Sequence, residues 1–171
     1  MTNPILKIEN IAYGGKGVAR LDGKVYFVTS AVTGDEVEVE ITKNNKNFAE
    51  AKITKFIVKS PLRGTSNCEY SDECGGCQWL EIDYAQQIEW KQSFIEDALT
   101  RIGKFAEAPS IEFKKSPQQY NYRNRILLRV HTSPNTQPRI GFFKTASRDL
   151  IPIELCQIAR PLLNEFIKKF S

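Results

Sequence analysis

The sequence predicts an α+β chain, mostly β: a five-stranded OB-like barrel, then a second domain with one helix and an antiparallel meander. Three observations predict this. Residues 1–60 alternate apolar and polar side chains between glycine turns. One helical stripe follows a cysteine-rich loop, and β-type patterning returns after Ile111. Ser60-Pro61 marks the boundary, giving domains at 1–60 and 61–171.

The elements follow in order. Leu6–Ile11 alternates as a half-buried strand should, and the glycines around Lys16 break it. Val18–Leu21 is a second strand, and Asp22-Gly23 a strong hairpin signal. Val25–Val32 is rich in β-formers. Thr33-Gly34-Asp35 turns the chain into Glu36–Ile41, a clean period-2 strand. The polar run Lys43–Asn47 reads as a loop, and Ala49–Val58 as the fifth strand. Five short strands with glycine turns suit a small closed barrel. The glycine loop around Lys16 lacks the Gly-Lys-Ser/Thr ending of a phosphate-binding loop.

Asp83 is placed to cap a helix, with Gln86 completing a capping box. Tyr84, Ile88, Ile95, Leu99 and Ile102 form its apolar face, Trp90 packs beside that stripe, and Gly103 is the expected C′ residue. Asn124–His131, Arg139–Phe143 and Arg148–Ile153 read as the meander, with an exposed loop at Thr132–Pro138. Pro161–Phe170 begins an amphipathic helix whose Leu162, Leu163, Phe166 and Ile167 need a surface to pack on.

The net charge of +4 is modest but segregated. Residues 111–148 hold eight cations against one acid, a net +7, while residues 61–110 carry a net −5. A basic block among Tyr120, Tyr122, Phe142 and Phe143 suits a polyanion partner, although a solvated strand face explains it equally well. Arg123, Arg125 and Lys144 are the leading candidates for contacts to such a partner, with Lys16 and Arg20 on the barrel. Tyr122 and Phe142 are candidates for stacking on unpaired bases. If 124–131 is a strand, Arg123, Arg125 and Arg129 share one face. No apolar run approaches membrane-spanning length, so a soluble, cytoplasmic chain without a membrane partner is expected.

The four cysteines carry the sharpest chemistry: Cys68, Cys74 and Cys77 in one loop, and Cys156 far downstream. Such a three-plus-one arrangement suits a four-thiolate site that pins a loop to a remote strand. Gly75 and Gly76 let the loop turn with φ > 0 and let amide N–H groups approach the sulfurs. Three readings compete. A [4Fe–4S] cluster tolerates irregular spacing. A structural zinc site usually pairs two Cys-x2–4-Cys hairpins, and only Cys74/Cys77 forms one. Two disulfides need an oxidising compartment, and residues 1–7 hold no apolar signal-peptide core. No complete active site is visible: His131, the only histidine, has no telling companion, and no Gly-x-Gly-x-x-Gly follows a strand.

At these residues the sequence resembles a known family. Ile11–Gly23, with Gly34-Asp-Glu-Val-Glu-Val39, looks like the TRAM domain, an RNA-binding barrel. Cys68-x5-Cys74-Gly-Gly-Cys77-Gln78, then Tyr84, Lys91 and Arg101-Ile-Gly103, resembles the cluster segment of the bacterial 23S rRNA (uracil-5-)-methyltransferases, and Tyr122-Arg-Asn-Arg125 through Cys156 continues the match. The resemblance implies a [4Fe–4S] cluster on Cys68, Cys74, Cys77 and Cys156, and ribosomal RNA of the large subunit as partner. It implies a partial central domain at 61–171. Family members continue into a C-terminal domain holding the S-adenosylmethionine site, the cysteine that attacks uracil C6 and a carboxylate base; none of these lies in the 171 residues. The chain then reads as the RNA-recognising N-terminal portion of such an enzyme, inactive alone. The alternatives are a stand-alone iron–sulfur RNA-binding adaptor and a redox-responsive RNA-binding protein.

Overall fold

A computed structural model describes residues 3–107, 109–132 and 138–170. Most of the loop expected at Thr132–Pro138 falls outside them. The fold is α+β, mostly β, in two compact units: Met1–Thr65 with Gln78–Lys114, and Ser66–Cys77 with Lys115–Ser171. The two units interleave along the chain, residues 66–77 belonging with the later segment.

In the first unit, β1 (Ile5–Lys7), β2 (Asn10–Ile11), β3 (Gly17–Leu21), β4 (Lys24–Thr29), β5 (Glu36–Asn44) and β6 (Phe48–Val58) form one sheet in the order β1-β5-β6-β4-β3-β2. The expected first strand is broken at Ile8 and Glu9 into β1 and β2. Its first half pairs with β5 and its second with β3, so one stretch of chain joins both edges and closes the sheet. Three register shifts between β5 and β6 supply the bending that closure needs. Val37 and Val39 point inward with Leu6, Ile8, Ala19, Val28, Ala31 and Ala51, while Glu40 faces water. Asp22 (φ 51°) and Gly23 (φ 75°) both take the left-handed conformation that a two-residue hairpin demands. β4 stops at Thr29 rather than Val32, because Ser30 turns to φ 60°. β5 runs on through the polar run to Asn44, since Lys43 and Asn44 pair with Glu50 and Ala49 and need no apolar face.

Helix α1 (Tyr84–Asp97) belongs to this unit. The Asp83 carboxylate accepts from the amides of Ala85 and Gln86, as a cap should. Gln86 does not complete the box: its amide donates to Glu89, and the Asp83 N–H donates to Leu62. The buried face also differs. Ile88 and Trp90 are buried, with Phe94 and Trp79 packed around Ile11, Val32 and Ile82, while Ile102 is 81% exposed. A π-helical turn, Ala98–Ile102, rotates the stripe away from the core. Gly103 is right-handed (φ −71°) and Lys104 takes the left-handed position instead; glycine is needed at 103 because a Cβ would lie 2.7 Å from the Leu99 carbonyl.

In the second unit, β7 (Arg129–His131), β8 (Arg139–Phe143) and β9 (Leu150–Pro152) form the antiparallel meander in that order. The strand expected from Asn124 begins only at Arg129, because the chain before it pairs elsewhere: Asn121 and Arg123 donate to the carbonyls of Gln157 and Ile158. Arg123, Arg125 and Arg129 therefore do not share a strand face. A second helix, α2 (Pro161–Phe170), buries Ile167 against Ile140, Ile151 and Ile153, while Leu162, Phe166 and Phe170 stay exposed.

Candidate functional site

The cysteine loop is fastened at several points within the second unit. Cys74 and Lys144 form an antiparallel bridge. Gly75 N–H donates to Phe143 O (3.0 Å), and Thr145 N–H to Glu73 O (2.8 Å). At the other end, Gln157 Nε2 donates to Asn67 O, and Glu154 N–H to the Tyr70 hydroxyl. Gly75 and Gly76 are not among the residues with positive φ. A glycine fits position 75 for space instead: a Cβ would press on the backbone of Phe143–Thr145. The approach of an amide to sulfur does occur, with Gly76 N–H 3.4 Å from Cys74 Sγ.

Cys156 sits on a segment that α2 holds in shape. Asn164, 7% exposed, accepts from the Cys156 N–H (2.8 Å) and donates back to its carbonyl (3.1 Å). A polar residue three positions before the fully buried Ile167, on the same helix face, is the sequence signal for this clamp. It is absent from the reading of the sequence above.

The fold gathers the four thiols. Burial pushes the Cys77 thiol up to about 11, and Cys156, Cys74 and Cys68 add repulsion. Burial likewise raises Cys68, which feels Cys74 and Cys156 as well. The Arg123 guanidinium acts in the opposite sense on Cys77, favouring its thiolate. No disulfide joins the four. Among the described residues, no group of three or more His, Cys, Asp or Glu side chains closes into a metal-binding cage.

The RNA candidates are scattered. Lys144 is ion-paired to Glu73, Lys16 to Glu50, and Arg20 to Glu9 (2.7 Å). Arg125 is exposed and Tyr122 half-exposed. Phe142 packs against the Ile140–Ile151 core, so its ring is not a free platform. Arg129 lies over the Phe143 ring at 5.1 Å.

Residues 6–54 match the TRAM domain model. Over 95% of its length the chain is 35% identical to an uncharacterized RNA methyltransferase of Aquifex aeolicus, covering 37% of that protein. It is 32% identical, over 95% of this chain and 37% of the relative, to the 23S rRNA (uracil(1939)-C(5))-methyltransferase RlmD of Histophilus somni. The crystal structure of Pyrococcus abyssi tRNA (uracil-54, C5)-methyltransferase with S-adenosyl-L-homocysteine matches 98% of this chain and 35% of its own, with TM-score 0.60 and 25% identity. The chain resembles the N-terminal part of the RNA (uracil-C5)-methyltransferases. It spans little more than a third of the length of these RNA methyltransferases. Among the described residues, no helix is long and apolar enough to cross a membrane.

Proposed function

We infer that this chain is the RNA-recognising portion of an S-adenosylmethionine-dependent RNA (uracil-C5)-methyltransferase acting on ribosomal RNA in the cytoplasm. Residues 1–60 act as the RNA-binding TRAM barrel, and residues 61–171 as part of the central domain. The cofactor site and the nucleophilic cysteine lie outside these residues. The likeness to RNA methyltransferases over 95% of the chain carries the reading.

Cys68, Cys74, Cys77 and Cys156 are the ligands we assign to a [4Fe–4S] cluster. The donor set fits: four sulfurs, none in a disulfide, gathered in one unit beside a cationic Arg123. A cubane holds its cysteines wider apart than a single ion does, so these thiols need not close into a single-ion cage. When bound, the cluster supplies a covalent clip between the loop and the Cys156 segment. The chain's own contribution is to orient the sulfurs, through Asn164 on one side and the Cys74–Lys144 bridge on the other.

The test is RNA affinity of the 171-residue chain against salt, on ribosomal RNA fragments. A linear fall of log affinity with log salt is expected. Arg125→Ala should flatten that slope by about 1 unit, as loss of one phosphate contact does. Arg123→Ala bears on Cys77 too, so it is read together with iron content. A salt-independent or undetectable affinity overturns the RNA reading.

A further inference from the structure

We propose that Tyr13 is a stacking platform for an unpaired nucleobase, on an aromatic and cationic patch of the first unit. This rests on the RNA-binding reading and names the kind of RNA element the barrel takes. Tyr13 is 90% exposed, the highest value among the exposed large hydrophobic side chains of the described residues.

The loop holds the ring ready. Ala12 N–H donates to Lys16 O (2.8 Å) and Gly15 N–H to Ala12 O (2.9 Å), closing a tight turn around Tyr13. Gly15 sits at φ +89°, and a Cβ there would lie 2.2 Å from Trp79 Nε1, so the loop is seated directly against that indole. One edge-to-face contact with Phe94, at 6.0 Å and 76°, fixes the orientation of the Tyr13 ring while leaving most of its surface open. Phe94 and Trp90 both pack on Trp79, at 5.9 Å each. Lys91 places its ammonium over Trp79 at 5.6 Å. Single-stranded nucleic acid binds where open rings take base faces and cations take phosphates: Tyr13 supplies the ring, and Lys91, on the helix that carries Phe94, a cation of the same unit. The reading of the sequence placed stacking on Tyr122 and Phe142, and the structure offers a more open ring than either.

The test uses the 171-residue chain with two labelled RNAs of equal strand length, a single-stranded oligonucleotide and a blunt-ended duplex without unpaired bases. Tyr13→Ala should weaken the single strand about tenfold, which corresponds to about 1.4 kcal/mol, and leave the blunt-ended duplex unchanged. Tyr13→Phe should retain the affinity, since the ring alone stacks. The salt slope should not move, because no phosphate contact is lost. Trp79 and Trp90 are the chain's two tryptophans, so their emission should respond to the single strand and respond less in Tyr13→Ala. Equal affinity of Tyr13→Ala and wild type for the single strand overturns the stacking role alone. Equal loss on both RNAs overturns it too, by pointing to a damaged fold. A wild-type chain that binds neither RNA overturns the RNA reading and this proposal together.

Discussion

Asp35 is the residue whose removal should cost this protein most. It is 0% exposed, and both carboxylate oxygens are fully used. Oδ1 accepts from the Ser60 amide (2.8 Å) and Arg63 Nε (3.0 Å), and Oδ2 from the Val32 amide (2.7 Å) and Arg63 Nη2 (2.6 Å). The two-pronged Arg63 contact is the strong geometry for a carboxylate. Arg63, with only 10% of its side chain exposed, also reaches Glu81 (3.0 Å) and the Ser30 carbonyl (2.8 Å), and stacks on Phe56 at 4.7 Å. Asp35→Ala leaves that buried cation with one half-exposed carboxylate and strips two amides of their acceptor. Breaking a buried pair from one side costs about 3–5 kcal/mol. Water entering the gap and the surviving Glu81 contact offset some of the amide cost, so about 4 kcal/mol is the expected loss. With a urea slope of about 1.5 kcal/mol/M, the midpoint should fall by roughly 2.7 M. Urea unfolding followed by tryptophan emission reads this directly, because Trp79 and Trp90 lie in the same unit as Asp35. Arg63→Met combined with Asp35→Ala should cost less than the two single changes added, since no orphaned charge remains. A midpoint shift below about 0.5 M, or a coupling below about 0.5 kcal/mol, would show the pair behaving as an exposed one and refute the reasoning.

Three other outcomes are expected. Protein purified without air should be brown, with about four irons and four sulfides per chain, and Ser at any of the four cysteines should abolish the colour; stoichiometric zinc without sulfide would sink the cluster assignment. In the metal-free chain, Cys77 alkylation should rise with a midpoint near 11 rather than 9.0. The folded thiol keeps its proton more tightly than the unfolded one, so that stabilisation is whole below 9.0 and is lost as pH climbs towards about 11; a midpoint at or below 9 contradicts the burial. Gly141→Ala should loosen the β8–β9 ladder, because its Cβ would stand 1.8 Å from the Ile151 carbonyl oxygen, and faster amide exchange in β8 and β9 at a cost of about 3 kcal/mol is the readout. Unchanged exchange would mean the ladder absorbs a methyl group.

What was legible in the sequence divides by the physics that carried it. Turns read well, because Asp22-Gly23 and Gly34 answer to local sterics and little else. Alternation read less well. Ile126 and Leu128 alternate and do pack on the second core, yet residues 124–128 join no ladder. Alternation reports which side chains are buried; pairing depends on which backbone groups are still free, and the neighbouring Arg123 is committed to Ile158 and Arg160. Helical periodicity failed at the same kind of point. Ile102 fits the stripe drawn at 3.6 residues per turn, but the π-helical turn shifts the angle and leaves it outside. The four cysteines were identifiable as a set from spacing. Asn164, which shapes the Cys156 backbone, shows in the sequence only as a polar residue on the buried face of α2; its partners are main-chain atoms that carry no residue label.

Charge shows the same gap between composition and space. The basic stretch 111–148 and the acidic stretch 61–110 look like separate fields when counted along the chain. In the second unit they interlock: Lys144 comes from the first, its partner Glu73 from the second, and the Cys74–Lys144 bridge sets the two strands side by side. The hydrogen bond to Glu73 raises the Lys144 ammonium above its ordinary pKa. That pair is exposed and worth little to stability. Its consequence is for binding. A cation already neutralised by a neighbour brings less net attraction to a phosphate than a free one, and Arg125 has no ion pair within 4.0 Å among the described residues. The contrast predicts an order. Arg125→Ala should reduce the salt slope of RNA binding more than Lys144→Ala, and Glu73→Gln should strengthen RNA binding by freeing Lys144. If Lys144→Ala costs more than Arg125→Ala, the ion pair opens on binding and Lys144 is the principal contact.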